Sequence, residues 1–185
     1  DPERVANEIE DVIGLEAHDA PKISAKNGLN IEDVLEAVVE RIPAPEVDDE
    51  EGAAALVFDS RYDTFRGVVN FVRVRRGVFK RGTRIRLFSN GIESELKEVG
   101  FFNPKMHPDD TLEPGSVGYF IPNLKTPSDT RVGDTVTLAE DPASEALPGF
   151  KTVQPMVFAG MYPVETDQYE ELRASLEKLQ LNDAS

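Results

Sequence analysis

With 185 residues the chain can hold one or two domains around a sizeable core, and 35 acidic against 20 basic residues leave it a formal net charge of −15. It has no cysteine, which excludes a disulfide framework and a thiolate metal site. It also has neither an apolar run of membrane-spanning length nor a secretory leader, so a soluble, cytoplasmic chain is expected.

Pro2 in a first turn, the acids Asp1 and Glu3 beside it, and Val5, Ile9, Val12 and Ile13 before Gly14 predict an opening helix. A short apolar strand and then the loop Ile23-Ser24-Ala25-Lys26-Asn27-Gly28 are expected next. In that loop the small Ser24 and Ala25 would let backbone N–H groups approach the acceptor edge of a purine, while the stem of Lys26 covers the ring plane. The plainer reading is a polar turn ending at Gly28. Asn30, with Asp33 three residues on, is the predicted N-cap of a second helix. Ile31, Val34, Leu35, Val38, Val39 and Ile42 recur along one face of it, which must pack on something. Pro43-Ala44-Pro45 stops that helix, and the acidic stretch 46–52 reads as a linker.

Beyond the linker the period changes from about 3.6 to 2. Strands are expected at Ala54–Phe58, Val68–Arg75, Thr83–Phe88, Ile92–Val99, Val117–Ile121 and Thr135–Leu138, with a long polar turn at 59–67 and a turn at Arg76-Gly77. Asn90-Gly91 is a hairpin signal, since both residues tolerate positive φ. So many short strands over about 90 residues indicate a closed antiparallel barrel, an arrangement without exposed edges. After Asp141-Pro142 the character changes again. Val157–Met161 is strand-like, and Asp167, with Glu170 at N3, is expected to cap a helix striped by Tyr169, Leu172, Leu176 and Leu179.

Charge is unevenly spread. Residues 64–86 hold eight bases and no acid, between an N-terminal part with 18 acids and 5 bases and a C-terminal part with 17 and 7. The island comprises Arg66, Arg73, Arg75, Arg76, Lys80, Arg81, Arg84 and Arg86. Such a cluster is costly unless it is solvated or meets an anion, and phosphate backbones are the common large anion in cells. Alternation places Arg73, Arg75, Arg84 and Arg86 on one shared wet face, opposite Val72, Val74, Ile85 and Leu87. A hydrolase has little to work with. His18 and His107 are the only histidines, and Asp109-Asp110 reads as a solvated turn. Tyr62, Phe65, Phe101 and Phe102 would serve a protein-docking module if exposed, though core filling is the plainer expectation.

Several stretches together resemble translational GTPases of the LepA type, also called elongation factor 4. They are Ile23-Ser24-Ala25-Lys26, Val39-Glu40-Arg41-Ile42-Pro43-Ala44-Pro45, the run from Phe58-Asp59-Ser60-Arg61 to Gly67-Val68-Val69, Glu98-Val99-Gly100-Phe101-Phe102-Asn103-Pro104-Lys105-Met106, the run from Asp129-Thr130-Arg131 to Thr137-Leu138-Ala139, the run from Pro155-Met156-Val157 to Tyr162-Pro163-Val164, and the run from Leu176-Glu177-Lys178 to Asp183-Ala184-Ser185. The resemblance implies a mainly β chain with α/β flanks. Residues 1–45 would be the C-terminal α/β end of a P-loop GTP-binding domain, and 46–52 a linker. Residues 53–148 would be the closed barrel of elongation-factor domain 2, and 149–185 the first β-α of a ferredoxin-like domain III. It further implies that Ser24, Ala25 and Lys26 contact guanine, and that Arg73, Arg75, Arg76, Lys80, Arg81, Arg84 and Arg86 are candidates for contact with small-subunit ribosomal RNA.

For a full-length protein the resemblance implies GTP hydrolysis with Mg2+, action on tRNA-bearing ribosomes in back-translocation, and peripheral association with the inner face of the bacterial membrane. No G-x-x-x-x-G-K-[ST] motif occurs in the chain, and neither does Asn-Lys-x-Asp. As a fragment it is therefore expected to be monomeric, to hold no bound GTP and to have no catalytic or metal-binding residue.

Overall fold

The computed structural model describes residues 1–45, 47, 51–124, 126–150 and 156–182. The chain divides into two compact units, Asp1–Pro45 and Glu46–Ser185.

In the first unit, α1 (Pro2–Ile13) begins at Asp1, whose carboxylate accepts from the Arg4 N–H, and ends at Gly14 in the left-handed region. α2 (Ile31–Arg41) ends where Ile42 turns extended ahead of Pro43. The strand expected between the helices does not form. Ser24 and Leu29 make an isolated bridge, because no second strand is present among the described residues of this unit to extend it. The apolar stripe of α2 also finds no cover: none of its residues is buried, and Ala6 is the one buried residue described in the unit. Two helices this short cannot close a core over each other.

The second unit is built from antiparallel strands: β1 (Ala54–Asp63), β2 (Gly67–Arg76), β3 (Phe79–Lys80), β4 (Arg84–Leu87), β5 (Glu93–Asn103), β6 (Lys105–Asp109), β7 (Thr111–Leu112), β8 (Val117–Pro122) and β9 (Thr135–Leu138). Their order is β4-β9-β1-β2-β8-β5-β6, and β4 also pairs with β5. Six strands thus pair around a ring, while β6 continues outward from β5. Alternation sends Val57, Val72, Val74, Ile85, Leu87 and Phe120 into one buried core, joined by Phe79 and Leu112 from the small β3–β7 pair. On the opposite face of β2 and β8, Val69, Tyr119 and Ile121 form a second cluster under Phe71 and Met106. The β5–β6 hairpin supplies that cover, with Phe102 edge-on to Phe71 at 5.2 Å.

Several elements depart from the sequence reading. β1 runs through the expected polar turn to Asp63, because Asp59, Arg61 and Asp63 pair with Phe71, Val69 and Gly67, and cross-strand pairing overrides polar composition. The real turn is 64–66. Asp63 Oδ1 accepts from the N–H groups of Phe65 and Arg66 at 2.8 and 2.9 Å. β5 extends to Asn103 and β6 pairs back on it, neither foreseen. At Asn90-Gly91 only Gly91 has positive φ, 72°. Asn90 uses its side chain instead, accepting from the Ile92 N–H at 3.0 Å and donating to the Asp129 carbonyl at 2.8 Å.

The linker at 46–52 lies largely outside the described residues. Residues 156–163 form no strand and are exposed but for Pro163, with no neighbouring strand among the described residues. α3 (Tyr169–Asn182) follows a 3-10 turn at Thr166–Gln168, so Asp167 sits inside that turn and does not cap the helix. α3 lies against β1, with Lys178 Nζ 5.1 Å from the Tyr62 ring centre. Leu172 and Leu176 of the expected stripe are half-buried, while its ends, Tyr169 and Leu179, are exposed and Leu181 is buried instead.

The turn at Asp63 carries a testable pH dependence. The Arg66 and then the Phe65 N–H groups stabilise the ionised carboxylate and hold its pKa below the ordinary aspartate value of 3.8. A lowered folded value means the stabilisation is present above the unfolded pKa and is lost as pH falls through the folded one. Following the Phe65 and Arg66 amide shifts by NMR should yield an apparent pKa below 3.8; a midpoint at or above it would rule out this turn.

Candidate nucleotide loop and basic surface

Ser24 and Leu29 exchange two backbone hydrogen bonds at 3.1 Å, and the Asn27 N–H donates to the Ser24 carbonyl at 3.1 Å. Gly28, with φ of 71°, reverses the chain inside that arc. The exposed Ala25 and Lys26 therefore carry their N–H groups at the tip, free of backbone acceptors among the described residues. Ser24 supplies the bridge rather than a free donor. Asn30 does not cap α2, contrary to expectation: its φ is 54° and its side chain makes no cap bond, forgoing roughly 1 kcal/mol of helix stability. Its amide donates instead to the Lys22 carbonyl at 3.0 Å.

With almost no apolar core, this unit is stapled by polar groups. Lys22 Nζ lies 2.7 Å from Glu3, His18 lies 3.5 Å from Glu3 and 3.6 Å from Glu10, and Arg41 donates to the Asp19 carbonyl at 3.1 Å. The Lys22 hydrogen bond and charge, with a smaller contribution from His18, hold the Glu3 carboxyl below its ordinary range.

The basic island does not form one surface. In the ring β2 and β4 stand three pairings apart in either direction, so their outward side chains leave on opposite sides. Arg84 and Arg86 stand opposite Glu95 and Glu93 on β5, and Arg84 makes an ion pair with Glu93 at 3.0 Å. This is a mixed-charge ladder. Lys80 ends β3 and Arg81 follows in the turn, where Glu98, Asp109 and Asp110 share a shallow pocket with Arg81. Arg76 is buried. Arg73 is half-buried on the outer side of β2, between the apolar Leu56 on β1 and Val117 on β8, and Arg75 follows on the same side.

Sequence reasoning missed Arg61, which lies outside the island in the chain yet sits 5.7 Å from the ring centre of Phe71, on that same outer side. Arg66 pairs with Glu98 at 3.1 Å. Glu98 also accepts from the Tyr119 hydroxyl at 2.8 Å, and burial followed by that bond pushes the phenol well above its ordinary range.

The aromatic expectation is overturned. None of Tyr62, Phe65, Phe101 and Phe102 is in the core, and Phe65 at the β1–β2 tip is 97% exposed. Phe101 stacks on His107 at 5.6 Å instead. Among the described residues no group of three His, Cys, Asp or Glu could hold a metal ion, and no helix is long and apolar enough to cross a membrane.

The family model for elongation factor Tu domain 2 matches residues 67–137, which run from β2 through most of β9. Elongation factor 4 of Streptococcus uberis is 56% identical over all 185 residues, covering 30% of that protein. The chain is similar from end to end to elongation factor 4. The elongation factor 4 of Fusobacterium nucleatum is likewise 56% identical over the whole chain, covering 31% of its length. The chain thus spans about 30% of the elongation factor 4 relatives it matches. A crystal structure from Thermus thermophilus superposes with a TM-score of 0.65 at 23% identity, over 88% of this chain and 24% of that one. Translation elongation factor SelB of Methanococcus maripaludis, crystallised with the GTP analogue GPPNHP, gives 0.51 at 12% identity, over 64% and 26%. These two likenesses speak to the fold alone.

Proposed function

We propose that this chain is a segment of a ribosome-associated translational GTPase of the elongation factor 4 type, one that acts in back-translocation and the fidelity of protein synthesis. The observation that carries this is 56% identity along all 185 residues. Residues 1–45 then complete a GTP-binding domain, 46–52 link it to the closed domain 2 barrel of 53–148, and 149–185 open a ferredoxin-like domain. Guanine sits against Ser24, Ala25 and Lys26. The exposed Ala25 and Lys26 N–H groups suit the acceptor edge of a purine. The described residues offer Mg2+ no ligand cluster. Phosphate and Mg2+ ligands, and the hydrolytic groups, belong to other parts of the longer protein, so the chain by itself is a monomeric, noncatalytic part.

Its partner is the ribosome, through small-subunit RNA and proteins, and the side of the ring best suited to phosphate is the outer face of β2. Arg61 and Arg73 line that face, whereas β4 is matched by glutamates. Peripheral membrane attachment would have to come from elsewhere in the longer protein, because a net charge of −15 is repelled by an anionic leaflet. A second reading, a protein-docking module, is favoured by the fully presented Phe65.

Titration with a fluorescent GTP analogue tests the first reading. The full-length protein should bind it in the micromolar range and hydrolyse GTP faster with ribosomes. The isolated chain should bind about a hundredfold or more weaker, since phosphate contacts are missing. Comparable affinity in the isolated chain, or no binding at full length, would overturn it.

A further inference from the structure

Asn30 is the one residue other than glycine with positive φ among the described residues, at 54°. An asparagine tolerates the left-handed region better than most side chains, yet glycine would sit there without strain. It also occupies the position from which an asparagine ordinarily accepts the first N–H groups of a helix, and does not accept them. Both departures forgo helix stability. Local rules broken together at one residue mark a place where the surrounding geometry serves something other than stability.

What those departures achieve is visible in the loop. The amide of Asn30 reaches back eight residues to the Lys22 carbonyl at 3.0 Å and closes the base of the arc. The reciprocal Ser24–Leu29 bonds form the next rung above it, and the Asn27 N–H bond to Ser24 shapes the tip. Lys22 is itself tied to α1 by its ion pair with Glu3 at 2.7 Å. The base of the arc is therefore anchored to both helices, and the Ala25 and Lys26 N–H groups ride on it. An unclamped arc of exposed residues in a unit with one buried side chain would sample many orientations, and a donor pair that must meet a single acceptor atom loses affinity accordingly.

We infer that Asn30 is the positioning residue of the guanine-contact loop: its left-handed backbone turns the chain into α2, and its amide clamps Lys22 so that the Ala25 and Lys26 N–H groups are preorganised. This rests on the guanine reading of Ser24 to Lys26. Asn30 touches no nucleotide itself; it acts through the loop.

Three variants separate its two features. Asn30→Gly keeps the backbone and loses the clamp, Asn30→Asp keeps the shape and loses the donor, and Asn30→Ala loses both. In the full-length protein, affinities for GTP and ATP are measured by competition against a fluorescent analogue. ATP lacks the oxygen acceptor that the loop would read. The GTP-over-ATP preference should fall about tenfold in Asn30→Ala and Asn30→Asp. An unchanged preference, or GTP and ATP affinities falling in parallel, overturns the positioning role, because a purely structural defect would weaken both nucleotides alike.

The clamp is read separately in the 185-residue chain by amide hydrogen exchange, which needs no nucleotide. Exchange at Ser24 and Leu29 should accelerate about tenfold in Asn30→Asp, while Ile42, bonded to Val38 at the far end of α2, keeps its rate. Equal rates at Ser24 and Leu29 in variant and wild type overturn the clamp. A wild-type full-length protein without preference for GTP over ATP overturns the guanine reading and the positioning role together, whatever the exchange data say of the clamp.

Discussion

Phe120→Ala is expected to lower the stability of the strand unit by about 3–5 kcal/mol, whereas Phe65→Ala should stay within about 0.5 kcal/mol of wild type. Phe120 is fully buried on β8, between the positions opposite Asn70 on β2 and Val99 on β5, and its ring centre lies 5.0 Å from that of Phe79. Truncation removes the transfer free energy of a benzyl group and leaves a cavity that a ring of paired strands cannot collapse. A domain of ordinary stability, about 5–15 kcal/mol, loses a large part of its margin. Phe65 has the same chemistry and almost no neighbours, since it is 97% exposed. Urea unfolding of the whole chain, followed by circular dichroism in the β region, is the measurement. Equal midpoints for the two variants would mean that the interior of the ring is not where Phe120 lies.

The second large effect concerns the split of the basic island. Arg61→Glu with Arg73→Glu should reduce the salt dependence of ribosome binding by about two in the slope of log affinity against log salt, if each arginine neutralises one phosphate. Arg84→Glu with Arg86→Glu should leave the slope nearly unchanged, because these two face Glu95 and Glu93 across β4–β5 and begin from a neutralised ladder. That second pair places like charges opposite one another and is expected to cost some stability instead. Filter binding of the full-length protein over a salt series, with circular dichroism to verify folding, separates the cases. Equal slopes for the two folded variants would remove β2 as the phosphate-facing side.

Local signals were legible wherever the physics was local. Asp1, Pro2 and Gly14 delimit α1, and Pro43 limits α2, because capping, the fixed φ of proline and the steric freedom of glycine act within a turn. Thr135–Leu138 was read to the residue, and β2 to within one at each end, from alternation and a flanking glycine. The Asp59–Asp63 half of β1 was missed because its side chains are polar and its reason for being a strand is the partner strand, at Phe71 to Gly67. Asn30 has the composition of a cap, and only its backbone angle and the reach of its amide reveal the other use.

By itself the sequence determined the ends of the first two helices, the alternation of most strands, the likeness to a translation factor and the loop that could face a purine. Each of these depends on residues near one another in the chain. Tertiary structure alone decided which arginines act together and which phenylalanines are buried. Strand order is set by pairing at long range, and two strands from the same basic stretch of sequence, β2 and β4, end on opposite sides of the ring because β1 and β9 fill one arc between them and β8 and β5 the other.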